Sequence, residues 1–276
     1  MKLRLRDDRI LTFPPMKVMG ILNLTPDSFY ARSRVPSHEE AVLRAKKMIE
    51  DGAEILDIGG ESSRPGSDPV SPEEEISRIV PVIRELKRAF PETLLSVDTY
   101  HSATIEAALT AGADIANDIT ALADPAYAKI VSEAGAPVIL MHMQGEPKTM
   151  QENPHYDDVV EDVLDFLKEC ADRALAAGIA KDRIMIDPGI GFGKTYEQNM
   201  ELIRNIDRFH VLELPVLLAV SRKSFIGNAL GLPDPKDRLE GTMAVSAWAA
   251  TNGIEMIRVH DVLENTRIVR MMEEII

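Results

Sequence analysis

Short β-branched or aliphatic runs alternate with longer stretches of helical periodicity from Val18 almost to the end of the chain. That rhythm predicts βαβ units. The apolar runs mark eight strands, near 17–23, 54–58, 94–98, 114–117, 137–142, 184–187, 215–221 and 255–260. Each leads into a helical pattern, near 38–51, 73–89, 101–111, 125–134, 157–177, 196–206, 237–252 and 262–275. The clearest helix, 157–177, sets Val160, Val163, Leu164, Leu167, Ala171 and Ala174 in one stripe. On its other side Asp157, Glu161, Asp165, Glu169 and Asp172 recur at about every fourth position, which reads as a solvated face rather than a metal site.

The boundaries are unequal. Gly52, Gly112, Gly135, Gly178 and Gly253 stand shortly before strands and predict tight αβ turns. The βα connections 24–37, 59–72, 143–156 and 188–195 are longer and rich in Gly, Pro, Ser and Arg. Long loops at one end are where a (β/α)8 enzyme builds its site. No linker or change of composition divides the chain, so the fold class expected is α/β, a single (β/α)8 TIM barrel with long βα loops at its C-terminal face. One domain would span 1–276, with 1–16 as an N-terminal extension. A doubly wound open sheet is the alternative, but eight nearly even repeats favour closure, which leaves no sheet edge.

Read with the period of two that strands impose, each run passes from an apolar to a polar residue near its C-terminal end. Ile21 leads to Asn23, Ile55 to Asp57, Ser96 to Asp98, Ile115 to Asn117, Leu140 to His142 and Met185 to Asp187. Ala219 is followed on the same parity by Ser221 and Lys223, and Met256 by Arg258 and His260. If one parity points into the barrel, these groups meet at its top. A lone strand-end Asp or Asn normally bonds a loop backbone. Eight polar ends in phase, three of them aspartates beside Lys223 and Arg258, require an internal ion network or a polar ligand, and the ligand is favoured because Arg64, Arg222 and Lys194 share the rim.

Composition narrows the partners. The chain has 276 residues, 45% of them hydrophobic, and a net charge of −14, which argues against nucleic acid and anionic membranes as partners. Its longest apolar stretches, 136–141 and 214–220, are far too short to span a bilayer, and the N-terminal MKLRLRDDRILTFPPM lacks a signal-peptide core. One cysteine, Cys170, excludes an internal disulfide and fits a reducing compartment, so the cytoplasm is the expected location.

Common chemical motifs fail. The run Asp187-Pro188-Gly189-Ile190-Gly191-Phe192-Gly193-Lys194-Thr195 has Pro188 where a P-loop needs glycine, and its spacing is not G-x-G-x-x-G. No H-x-H, H-E-x-x-H or G-x-S-x-G occurs. His142, between two methionines, reads as a packed strand-end histidine. Ser224, after Ser221-Arg222-Lys223, is placed to cap a short helix whose free N–H groups suit a carboxylate or phosphate.

Taken together the segments resemble the dihydropteroate synthase family. The matching stretches are 19–29 (MGILNLTPDSF), 57–66 (DIGGESSRPG), 96–99 (SVDT), Asn117-Asp118, 141–143 (MHM), 187–195 (DPGIGFGKT), 221–224 (SRKS) and 258–261 (RVHD), in order over about nine tenths of the chain. The resemblance implies condensation of 6-hydroxymethyl-7,8-dihydropterin pyrophosphate with p-aminobenzoate, giving 7,8-dihydropteroate and pyrophosphate in folate synthesis. It implies pterin contacts from Asp98, Asn117, Asp187, Lys223 and Arg258, and pyrophosphate contacts from Asn23, Ser63, Arg64, Arg258 and His260. The p-aminobenzoate site would be Phe29, Pro65, Phe192, Lys223 and Ser224, the catalytic groups Asp27, Arg64, Asp98 and Lys223, and Asn23 the protein ligand of Mg2+. Sulfonamides would compete with p-aminobenzoate.

One departure stands out: where the family usually has Ser-Asp-Gly-Gly after Ser-Phe, this chain reads Tyr30-Ala31-Arg32-Ser33-Arg34-Val35-Pro36. Losing two glycines makes that loop less permissive. The rival readings are a methyltetrahydrofolate methyltransferase serving a corrinoid protein, which needs no pyrophosphate clamp, and a pterin-binding protein without catalysis. Met243, Val245 and Trp248 on the helix 237–252, with the resemblance, imply a homodimer face.

Overall fold

A computed structural model describes residues 1–25, 38–62 and 66–276. Two short strands come first, β1 (Lys2–Arg4) and β2 (Ile10–Thr12), paired antiparallel. Eight parallel strands follow: β3 (Lys17–Asn23), β4 (Ile55–Gly59), β5 (Leu94–Asp98), β6 (Ile115–Asp118), β7 (Val138–Met141), β8 (Ile184–Asp187), β9 (Leu217–Ala219) and β10 (Met256–Val259). Their order is β8-β7-β6-β5-β4-β3-β10-β9, and a parallel bridge between Ile186 and Val216 joins the two ends. The sheet therefore closes into a barrel.

Helices return the chain between strands: α1 (His38–Glu50), α2 (Pro72–Ala89), α3 (Ser102–Ala111), α4 (Pro125–Ala134), α5 (Val159–Ala176) and α6 (Tyr196–Arg204). After β9 come two, α7 (Ser224–Leu230) and α8 (Leu239–Thr251), and after β10 comes α9 (Val262–Ile275). Local sequence explains their ends. Ser71 accepts from the Glu74 N–H at 3.3 Å and Pro72 opens α2, while Thr195 and Gln198 form a reciprocal capping box on α6. Gly112 and Gly135 close α3 and α4 in the left-handed conformation. No described helix is long and apolar enough to cross a membrane.

Two apolar clusters result. The larger fills the shell between strands and helices, with Val18, Leu22, Leu56, Ile58, Leu95, Val97, Leu140 and Leu218 among its strand residues. The smaller takes one inward residue from every barrel strand: Met19, Ile55, Leu94, Ile115, Ile139, Met185, Leu217 and Met256. Leu3, Leu5 and Phe13 from the N-terminal hairpin region pack on that ring. The bottom of the barrel is thus plugged by side chains, each contributing about 1.5–3 kcal/mol through burial.

The expected architecture holds, and β3, β5 and β8 run over the predicted spans. The hairpin was not expected, since three-residue strands are too short to show a period. β9 stops at Ala219, earlier than the apolar run, because the backbone at Arg222 turns into positive φ (57°). The phase of β7 also differs from expectation. Its inward residue is Ile139, so Leu140 belongs to the helical shell and His142 turns away from the barrel interior. A strand buried on both faces carries no polar alternation to fix its phase.

Candidate active site

Two residues above the apolar ring, the inward parity turns polar. Asp57 on β4 is fully buried, and its Oδ2 accepts from Arg258 Nε at 2.5 Å and from Asn117 Nδ2 at 3.2 Å. Arg258, on β10, donates through Nη2 to Asp98 of β5 at 2.7 Å. Four strands thus contribute to one buried network, the arrangement that charged groups require once they leave water. Burial pulls the Arg258 pKa down, but the charges of Asp57 and Asp98 outweigh it and hold the guanidinium above its usual range. Burial pushes Asp98 up to about 7, against the attraction of Arg258 and with help from Asp57.

Across the mouth, Asp187 ends β8, and its Oδ1 accepts from the Gly189 N–H at 2.7 Å. Burial raises its pKa, opposed by Lys223 and by that N–H. Lys223 donates to the Ile190 carbonyl, and its Nζ lies 4.7 Å from the centre of the Phe192 ring. Burial first, and Arg258 after it, bring the Lys223 pKa down to about 8 against the pull of Asp187 and Asp98. His260 follows β10; its N–H donates to Ser221 Oγ at 3.1 Å, and its Nδ1 lies 2.9 Å from the same hydroxyl. The result is a polar cup with carboxylates on two sides, an amide between them, and a lysine over an aromatic ring.

A sequence profile described as pterin binding enzyme matches residues 19–260. The dihydropteroate synthase of Escherichia coli K12 is 46% identical over 256 residues, 93% of this chain and 90% of that one. The chain belongs to the dihydropteroate synthase family. Solved structures agree: a Yersinia pestis dihydropteroate synthase with a sulfonamide drug complex superposes with a TM-score of 0.93 at 42% identity, covering 100% of this chain and 98% of its own. A Xanthomonas albilineans dihydropteroate synthase with 4-aminobenzoic acid gives 0.92 at 41% identity, covering 99% and 97%. The corrinoid methyltransferase reading gives way to these matches.

Of the residues that resemblance to dihydropteroate synthases singles out, Asn117, Asp98, Asp187, Lys223 and Arg258 stand together in the cup, with Phe192 beside Lys223. Asn23 ends β3 and Ser224 opens α7 on an exposed position. Asp27, Phe29, Ser63, Arg64 and Pro65 lie outside the described residues, as does the altered stretch Tyr30–Pro36.

Four expectations are corrected. Arg222 is no ligand on the rim: it makes a bidentate pair with Asp261, both contacts 2.7 Å, and bonds the Pro235 and Lys236 carbonyls. Lys194 is 2% exposed and points into the loop it belongs to. Ser224 is the first residue of α7 rather than its cap, a place taken by Lys223 without a side-chain bond. The choice between ion network and ligand was too sharp, because Arg258 belongs to a network already in the free protein.

Asp57 was noted as a strand end and given no role, yet it joins Arg258 to Asn117; its parity was the available signal. A second omission is Glu75. It stands four residues before Ile79 on the buried stripe of α2, an apolar position held by a carboxylate. Glu75 Oε2 accepts from Thr99 Oγ1 at 2.8 Å and lies 3.0 Å from His101 Nδ1, and Tyr100 donates to Glu61 at 2.9 Å. Glu61, Glu75 and His101 have ligand atoms within 4.8 Å of one another, and their bonds brace α2 and the loop before it against the β5–α3 loop.

Magnesium takes hard oxygen ligands in octahedral geometry and keeps waters and substrate phosphates among them. Asn23 offers one amide oxygen at the end of β3. One neutral amide oxygen fits an ion whose other ligands are phosphate and water.

Proposed function

We propose that this chain condenses 6-hydroxymethyl-7,8-dihydropterin pyrophosphate with p-aminobenzoate to form 7,8-dihydropteroate and pyrophosphate, a pterinylmethyl transfer in folate synthesis. The observation that carries the reading is the convergence of Asp57, Asp98, Asn117, Asp187, Lys223 and Arg258 at one end of the barrel. The 2-amino-4-oxopyrimidine edge of a pterin presents adjacent N–H donors, which the Asp187 carboxylate accepts as a charge-assisted pair. Asn117 donates and accepts along the same heterocycle, Lys223 donates to a ring oxygen or nitrogen, and Asp98 receives a ring N–H. Arg258 has Nε and Nη2 committed to carboxylates, so its flat face stacks on the ring while its remaining donors reach phosphate.

The bond that breaks joins the pterin methylene carbon to the pyrophosphate oxygen. Its electrons leave with pyrophosphate, held by Ser63, Arg64, Arg258, His260 and Asn23. Asn23 would also hold Mg2+, which when bound would supply positive charge against the leaving group. The carbocation left on the methylene is delocalised into the ring and stabilised by Asp98 and Asp27. The neutral arylamine of p-aminobenzoate forms the new carbon–nitrogen bond and then loses a proton, so no strong base is needed. Phe29, Pro65, Phe192 and the Lys223 stem flank the aromatic ring, and Ser224 receives the carboxylate. Two copies of the chain pair through α8, where Trp248 is 43% exposed, and sedimentation should report a dimer. The single buried Cys170 suits a reducing cytoplasm.

Pyrophosphate release, measured with each substrate omitted in turn, tests the reading. Release that requires both substrates supports it. Tight pterin binding without release would make the chain a pterin-binding protein.

A further inference from the structure

Lys194 is as buried as a core leucine, yet no part of the reaction uses it. Its Nζ has three acceptors at 2.9 Å: the Gly189 carbonyl, the Phe192 carbonyl and Nδ1 of His142. Burial brings the Lys194 pKa well below the usual lysine range, against the pull of Asp187, and all three of its contacts lie within the protein, so none is left for a substrate. His142 is 5% exposed and meets Lys194 through Nδ1. Burial, reinforced by the charge of Lys194, pushes its pKa down to about 2 and keeps the ring neutral.

The backbone around this amine is tightly specified. Gly189 has φ +66°, and a Cβ there would stand 1.8 Å from the His142 carbonyl oxygen, so only glycine fits. Phe192 N–H donates to the Gly189 carbonyl at 3.0 Å, which closes the turn that Lys194 clasps at both ends. Asn199 holds the same loop from α6, accepting from Gly191 N–H at 2.6 Å and donating to the Lys194 carbonyl at 3.3 Å. On the pocket side of the turn, the Ile190 carbonyl accepts from Lys223, and the Phe192 ring lies beneath the Lys223 ammonium. Two lysines therefore grip one turn, one from within the protein and one from the site.

We propose that Lys194, seated on His142 Nδ1, is a positioning residue that holds the Gly189–Phe192 turn so that the Phe192 ring and the Ile190 carbonyl fix Lys223 and the bound p-aminobenzoate. The inference rests on the assignment of Phe192 to the p-aminobenzoate side of the site. Removing the Lys194 amine leaves the Phe192 carbonyl and the His142 Nδ1 without their partner and the Gly189 carbonyl with the Phe192 N–H alone, and the turn relaxes at the wall that meets the second substrate. The pterin edge, which depends chiefly on Asp187 and Asn117, is affected much less.

The test compares steady-state constants for the two substrates. Lys194→Met keeps the length of the stem and removes the donors; the KM for p-aminobenzoate should rise at least tenfold, with pterin affinity changed less than threefold. His142→Asn restores an acceptor near the position of Nδ1 and should keep that KM within threefold of the parent. His142→Leu removes the acceptor and should move it in the same direction as Lys194→Met. The two histidine variants carry the test if Lys194→Met does not fold. Lower thermal stability with an unchanged KM for p-aminobenzoate, or equal KM values for His142→Asn and His142→Leu, would overturn the proposal. Phe192→Ala separates the pocket assignment from the role of Lys194. If it leaves the KM for p-aminobenzoate unchanged, the pocket assignment is wrong and the inference falls with it; if it raises that KM while the Lys194 and His142 variants do not, the inference alone is wrong.

Discussion

The same eight strands build two unlike layers only two residues apart. In the lower layer Met19, Ile55, Leu94, Ile115, Ile139, Met185, Leu217 and Met256 pack with the N-terminal hairpin into a dry plug. In the upper layer Asp57, Asn117, Asp187 and Arg258 occupy the next inward positions on four of those strands and form charged pairs and amide bonds. Burial stabilises the first layer, while it works against the second, where carboxylates are pushed up and Lys223 is brought down to about 8. The lower layer holds the barrel closed. The upper one stays polar because a polar substrate is to complete it.

The sharpest way to break that division is a cavity in the plug. Ile115→Ala should cost about 2–5 kcal/mol of stability and leave the KM for both substrates within twofold, as read by denaturant melts and steady-state kinetics. A change of substrate affinity without loss of stability would join the layers that the account separates.

In the upper layer the expected effect reverses. Asp187→Asn removes the negative charge that accepts the pterin edge, so pterin affinity should fall about 100-fold, in line with the ~1.5–3 kcal/mol of a hydrogen bond to a charged group. The melting temperature should stay level or rise, because the variant no longer buries a carboxylate.

The pH profile sharpens the contrast further. With Asp98 at about 7 and Lys223 at about 8, kcat/KM for the pterin substrate should follow a bell with limbs near those values. Asp98→Asn should remove the acid limb. Between the ordinary carboxylate range and about 7 the native state holds a proton on Asp98 that the unfolded chain has released. That contribution to stability should therefore be lost as pH rises through this window.

Smallest of all, Asn23→Ala should raise the Mg2+ concentration for half-maximal activity by a few fold and leave p-aminobenzoate binding unchanged. An unaltered magnesium dependence would remove Asn23 from the metal's shell.

Much of the comparison was legible in the sequence because the barrel's inside and outside alternate. The passage from Met185 to Asp187, or from Met256 to Arg258, shows both layers in three residues. It failed where alternation is silent. β7 is apolar on both faces, so alternation sets Leu140 and His142 inward where the fold has Ile139. Cations were the other weakness: Lys194, Arg222 and Lys223 stand in similar glycine- or serine-rich turns, and only the folded backbone separates a strut from a ligand. Arg222 reaches Asp261, 39 residues further along, which no local pattern reveals. The N-terminal hairpin escaped for want of length, although Leu3, Leu5 and Phe13 complete the plug.

In the proposed function the upper layer recognises a pterin, with Asp187 accepting its pyrimidine edge. Calorimetric titration of a 7,8-dihydropterin onto the Asp187→Asn protein, beside its thermal melt, tests this most directly. Affinity should fall by about two orders of magnitude with the melting temperature unchanged or higher; affinity retained, with a lower melting temperature, would show Asp187 to be part of the scaffold and contradict its role at the pterin edge.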